Sequence, residues 1–157
     1  MTLKFLFVGK TANSNLVDLM SDYERRLKHY IKFETVILPE LKHTKNSTPE
    51  QQQKREGEQL LKVIGTSGEL ILLDEKGKEY TSRAFAIFLQ KKMNNGPKQL
   101  WFVVGGPYGF SEAVRQRANG LVSLSKMTFS HQMVRLFALE QCYRAFTILR
   151  NEPYHHD

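Results

Sequence analysis

Five apolar runs, at 3–8 (LKFLFV), 33–38 (FETVIL), 69–74 (ELILLD), 99–104 (QLWFVV) and 121–125 (LVSLS), are separated by stretches long enough for a helix. No other feature limits the fold as strongly. Strands that alternate with helices build a mostly parallel sheet, and such a sheet is stable only when helices cover both its faces. The expected fold is α/β, and 157 residues suit a single domain, 1–157, able to bury roughly 70 % of the surface its unfolded chain exposes.

The intervening stretches carry helix signals. Leu16, Met20, Tyr23, Leu27 and Tyr30 recur at helical spacing behind possible caps at residues 13–15. Thr48, Pro49 and Gln51 form a capping box with proline in the first turn, which starts a helix at Pro49 after a polar loop over 39–48. A third helix is expected within 80–96, stopped by Asn-Asn-Gly-Pro, and a short fourth in the stretch FSEAVRQRANG. The last helix, within 130–150, places Val134, Phe137, Ala138, Ala145 and Ile148 on one side and Leu136, Leu139, Tyr143 and Phe146 nearly opposite. A helix apolar on two sides needs two packing partners. One is the sheet, and the expectation for the second is another copy of the chain, giving a homodimer.

Charge and cysteine content narrow the setting. A formal net charge of +7 and a pI near 9.5 favour a polyanionic partner through long-range attraction. Cys142 is the only cysteine, which excludes an internal disulfide and a cysteine-ligated zinc site and suits a reducing, cytoplasmic setting. The opening MTLKFLFVGK lacks the cleavage site of a signal peptide and the length of a membrane span. His29, His43, His131, His155 and His156 show no metal-ligand spacing, so no metal is expected.

The glycine motifs do not behave as phosphate loops. Gly9-Lys10-Thr11 ends like one, but Lys4 occupies the position where that loop requires its first glycine. In VVGGPYGFS, residues 103–111, a dinucleotide fingerprint would need glycine at Val104, and Pro107 lacks the N–H that a phosphate nest uses. What remains is a chain leaving a strand with bare backbone at Gly105 and Gly106, which a flat ligand can approach. Ligands of open α/β sheets bind beyond the carboxyl ends of the strands, and Leu73-Asp74-Glu75, Gly105-Gly106 and residues 123–130 stand at three such ends. The tail RNEPYHHD concentrates titratable and aromatic groups where a bland terminus is the rule. On these grounds an enzyme with a nucleotide-like cofactor and an RNA-binding module without catalysis both stand.

The stretch LSKMTFSHQMVRLFALEQCYRAFTILRNEPYHHD, with VVGGPYGF, LLDEKGK and the opening LKFLFVGK, resembles the RlmH family. These are SPOUT-class methyltransferases that modify N3 of a pseudouridine in bacterial 23S ribosomal RNA, and the resemblance spans essentially the whole chain. It implies S-adenosylmethionine as methyl donor, an α/β fold with a C-terminal trefoil knot, an obligate homodimer, and 23S RNA in the assembled ribosome as substrate. Knots are absent from most folds, so that expectation rests on the resemblance alone. Carried onto matching positions, the cofactor is expected at Leu73, Gly105, Leu124, Ser125, Lys126, Met127, Thr128 and Phe129. Arg144, Tyr154 and His155 are the expected catalytic residues: Arg144 to stabilise negative charge on the uracil ring or hold a phosphate, Tyr154 and His155 to position the base or accept its proton. RNA docking would draw on Lys10, Arg25, Arg26, Lys28 and Lys126. The chain departs from the family pattern at Phe110, Ser130 and His156, where leucine, proline and a basic residue are frequent.

Overall fold

Each apolar run becomes a strand of one parallel sheet, ordered β2-β1-β4-β3-β5. The computed structural model describes residues 1–42 and 45–157, so His43 and Thr44 of the polar loop lie outside the described residues. In chain order the elements are β1 (Thr2–Val8), α1 (Ser14–Leu27), β2 (Lys32–Leu38), α2 (Pro49–Ile64), β3 (Glu69–Glu79), α3 (Ser82–Asn95), β4 (Gln99–Val104), α4 (Glu112–Arg117), β5 (Gly120–Ser123) and α5 (Met133–Leu149).

The helix starts follow the caps. Asn13 accepts from the Asn15 and Leu16 amides, Thr48 and Gln51 close the capping box before α2, and Thr81 accepts from Ala84. Each satisfies amides that the first helical turn leaves without a partner. Neighbouring residues of a strand point to opposite faces, so the sheet feeds two cores. Phe5, Phe7, Ile71 and Phe102 meet Phe85, Leu89, Leu139 and Phe146 on one face, under α1, α3 and α5. On the other face Leu6, Leu72, Trp101 and Val103 meet Leu60, Ile64 and Val114 from α2 and α4. Truncating a ring from the first core, such as Phe102→Ala, costs about 3–5 kcal/mol.

Two expectations change. The apolar run at 69–74 ends early, whereas β3 continues to Glu79. Its register breaks between Leu73 and Lys78, both of which pair with Val122 of β5. The excursion 74–77 folds over β5 so closely that a Cβ on Gly77 would lie 2.6 Å from the Val122 backbone. Only glycine permits this close approach.

Helix α5 also differs. Its buried residues are Arg135, Ala138, Leu139, Cys142, Ala145, Phe146 and Thr147, a set that cuts across both of the expected apolar faces. Helices α1 and α3 flank it within the same chain, so part of its second apolar side is already covered. Met133 and Phe137 remain 38 % and 39 % exposed on the outward side. Among the described residues, no helix is long and apolar enough to cross a membrane.

Candidate active site

The carboxyl ends of β3, β4 and β5 open into a cavity of about 580 Å³, within the size range of small-molecule and cofactor sites. Of the residues at which the family resemblance implies a cofactor, Leu73, Gly105, Leu124, Ser125, Met127, Thr128 and Phe129 line it. Lys126 does not. Its side chain is 87 % exposed, with Nζ 4.0 Å from Glu79.

Short-range hydrogen bonds shape the loop after β5. Ser123 Oγ donates to the Ser125 carbonyl at 2.9 Å, and Ser125 Oγ accepts from the Met127 amide at 2.9 Å. Ser and Thr side chains favour such local turns over regular structure. Phe129 is fixed against Phe137 of α5, the ring centroids 5.1 Å apart.

The glycine stretch forms the opposite wall. A Cβ on Gly105 would stand 3.0 Å from the Phe110 ring, and one on Gly106 would stand 2.9 Å from Glu56 Oε2. Both positions therefore present backbone, not side chain. Glu56 reaches in from α2, accepts from the Gly106 amide at 3.3 Å, and is almost fully buried. Burial pushes its carboxyl above the ordinary carboxylate range. At the rim Asp74 and Arg115 pair at 2.8 Å, with the guanidinium 5.9 Å from the centre of the Phe110 ring. Neither Glu56 nor the Asp74–Arg115 pair was expected from the sequence, because their partners are 50 and 41 residues away.

The tail builds a second cluster. Arg144 Nη2 lies 2.5 Å from Glu140 Oε1 one turn back on α5, and Nη1 lies 3.3 Å from His155 Nδ1. The guanidinium also sits 4.8 Å from the centre of the Tyr154 ring. Tyr154 Oη donates to Glu140 Oε1 at 3.0 Å and lies 3.1 Å from Tyr23 Oη. Burial first, and then its hydroxyl partners, push the Tyr154 phenol well above its ordinary value. Arg144 can only donate, so His155 Nδ1 accepts, which leaves Nε2 facing Asp157 Oδ1 at 3.2 Å. Asp157 is in turn held by Arg83 Nε of α3 at 2.9 Å. The tail is thus fastened to α1, α3 and α5. His156 is exposed. Glu140 was missed, although its place four residues before Arg144 is the spacing of a helical ion pair.

The structure brings Arg144, Tyr154 and His155 together, and brings the cavity residues together, but it keeps the groups apart. Val134 is the α5 residue at the cavity, and Arg144 follows ten positions later, about 15 Å along the helix at 1.5 Å per residue. Of the basic residues expected to dock RNA, Arg25 and Arg26 both pair with Asp22, and Arg26 also lies over the Tyr23 and Tyr143 rings. Lys10 and Lys28 are exposed.

A family model described as "Predicted SPOUT methyltransferase" matches residues 1–155. A ribosomal RNA large subunit methyltransferase H from Christiangramia forsetii is 57 % identical over 156 residues, covering 99 % of each chain. One of the same name from Parabacteroides distasonis is 54 % identical over 157 residues, covering 100 % of each. Among solved structures, a tRNA (m1G37) methyltransferase from Aquifex aeolicus superposes with a TM-score of 0.56 at 15 % identity, over 100 % of this chain and 76 % of the other. That likeness concerns the fold alone.

Proposed function

The chain belongs to the SPOUT methyltransferase family, and from that premise we propose that it methylates N3 of a pseudouridine in 23S ribosomal RNA of the assembled ribosome, with S-adenosylmethionine as donor. It works in the cytoplasm as a homodimer whose active sites each join the cavity of one chain to the tail of the other. The observation that carries this reading is the separation of cavity and tail cluster within one chain. A partner copy docked on the outward side of α5, where Met133 and Phe137 are open, brings a second tail to the cavity.

The cavity residues suit the donor. Bare backbone at Gly105 and Gly106 and the apolar sides of Leu73, Leu124, Phe129 and Val134 make a flat, weakly polar slot for an adenine ring. The ends of three parallel strands offer main-chain donors and acceptors to its edge. When bound, S-adenosylmethionine supplies a methyl group already activated on a positive sulfur, so the protein mainly has to align the acceptor nitrogen and help it lose its proton.

The tail cluster does that part. Arg144 places its charge where N3 becomes negative, which favours release of the N3 proton to solvent, and Glu140 and His155 fix the direction of its guanidinium. Tyr154 Oη and the His155 ring flank the uracil and set its angle of approach. The net charge of +7 draws the chain to ribosomal RNA, and exposed Lys10 and Lys28 are available to phosphates.

The test is methyl transfer from labelled S-adenosylmethionine to ribosomes that lack the modification, with free 23S RNA and isolated large subunits alongside. The expected result is label at N3 of one pseudouridine, fastest on the assembled ribosome. Absence of label from all three substrates overturns the reading.

A further inference from the structure

Among the described residues, the largest fully buried side chain is charged. Arg135, on α5, is 0 % exposed, and its acceptors are carbonyls and a hydroxyl rather than carboxylates. Nη2 donates to the Val8 carbonyl at 2.6 Å, and Nη1 donates to the Gly9 carbonyl at 2.8 Å and Thr11 Oγ1 at 3.1 Å. Nε donates to the His131 carbonyl at 3.2 Å, and the guanidinium lies 5.2 Å from the centre of the Phe7 ring. A buried cation is expensive to desolvate, and an apolar side chain of similar volume would fill the space without that penalty. What the guanidinium does that an apolar chain does not is join two segments of backbone.

Gln132 joins the same segments. Its Oε1 accepts from the Ala12 amide at 2.9 Å, and its Nε2 donates to the Lys10 carbonyl at 3.4 Å. Val8, Gly9, Lys10, Thr11 and Ala12 are therefore each engaged by Arg135 or Gln132. The Gly-Lys-Thr turn, which fails as a phosphate loop, serves as an anchor. The anchored side is the cavity loop, since His131 and the adjoining Ser130 and Val134 line the cavity.

We propose that Arg135 and Gln132 form a clasp that positions the methyl-donor loop, 123–131, by pinning its end to the turn after β1 before any ligand arrives. The proposal rests on the reading that this loop walls the donor site. A site that recognises its ligand largely through backbone gains affinity when that backbone is already in place, because less ordering has to accompany binding. Arg135 and Gln132 are positioning residues; neither is assigned a contact with the donor.

Two variants test this in the full chain. Gln132→Ala opens one half of the clasp without touching the core, and Arg135→Lys keeps the charge while losing the fork that reaches both segments. Amide hydrogen exchange is read without ligand at Met127 and Val134, whose amides bond within the loop to Ser125 Oγ and the Ser130 carbonyl. The dissociation constant for S-adenosylmethionine is measured calorimetrically, and KM is measured for ribosomes. Expected are faster exchange in both variants and affinity for S-adenosylmethionine weakened about fivefold in Gln132→Ala, which loses two exposed hydrogen bonds, and more in Arg135→Lys, which loses several buried ones, with KM for ribosomes unchanged. Unchanged exchange in Gln132→Ala overturns the clasp, and faster exchange with unchanged affinity overturns its role in binding. If the unaltered protein does not bind S-adenosylmethionine, the donor-site reading falls, and exchange alone decides the clasp.

Discussion

Around the cavity the chain offers main chain: Gly105 and Gly106 stripped of side chains, and a loop over 123–131 folded by Ser Oγ bonds and pinned by Arg135 and Gln132. Around the tail it offers side chains: Arg144, Glu140, Tyr154 and His155 joined to one another, with Tyr23 and Arg83 holding them from α1 and α3. The first region is equipped to hold a ligand and the second to act on one. Because they stand apart in one chain, holding and reacting should respond independently to mutation.

The largest expected effect separates them. Arg144→Ala should lower methyl turnover by about a hundredfold or more, the scale for losing a positioned charge in a transition state, while calorimetry finds affinity for S-adenosylmethionine unchanged. A parallel loss of affinity would merge the two regions. Gly105→Val is the converse change. Its branched side chain meets the Phe110 ring, and affinity should fall by about tenfold to a hundredfold, as overpacking of 1–3 kcal/mol implies, leaving the tail intact.

A smaller effect lies beneath the glycine wall. The Glu56 carboxyl has a raised pKa in the folded protein, so between its unfolded and folded values the native state holds the proton that the unfolded state releases. Stability from this group is then lost as pH rises through that window and regained on acidification. Glu56→Gln can still accept from the Gly106 amide, so the variant should gain in melting temperature relative to the parent at neutral pH, with the gain shrinking toward acid pH. A gain that grows on acidification would contradict the assignment. Least of all, Lys126→Ala should change affinity for S-adenosylmethionine less than about twofold, since surface side chains away from partners contribute little and this one points to solvent.

How much of this was legible in sequence follows from where each partner sits. The sheet and most helix starts were readable because buried parallel strands and caps are local signals: Thr48 and Gln51 are three residues apart, and QLWFVV is one unbroken run. The outer arm of β3 was not, since Lys78 and Glu79, which pair with β5 after the register break, carry no apolar pattern. The loop residues at the cavity came from the family resemblance, and that resemblance did not show that Lys126 turns outward. Nothing local to α5 marks Arg135 for burial, which only the Val8 and Gly9 carbonyls, 127 and 126 residues away, explain. The tail residues were visible, but what fixes them, Tyr23 and Arg83, lies on other elements.

The central claim, that each active site takes its cavity from one chain and its tail from the other, is tested most directly by co-expressing Gly105→Val chains with Arg144→Ala chains and measuring methyl transfer to ribosomes. Each variant alone should be nearly inactive. Random pairing makes half the dimers mixed, and each mixed dimer has one site with an intact cavity and an intact partner tail, so activity should recover to about a quarter of the unaltered level. Recovery no greater than the sum of the two variants would contradict the account and place both halves of the site in a single chain.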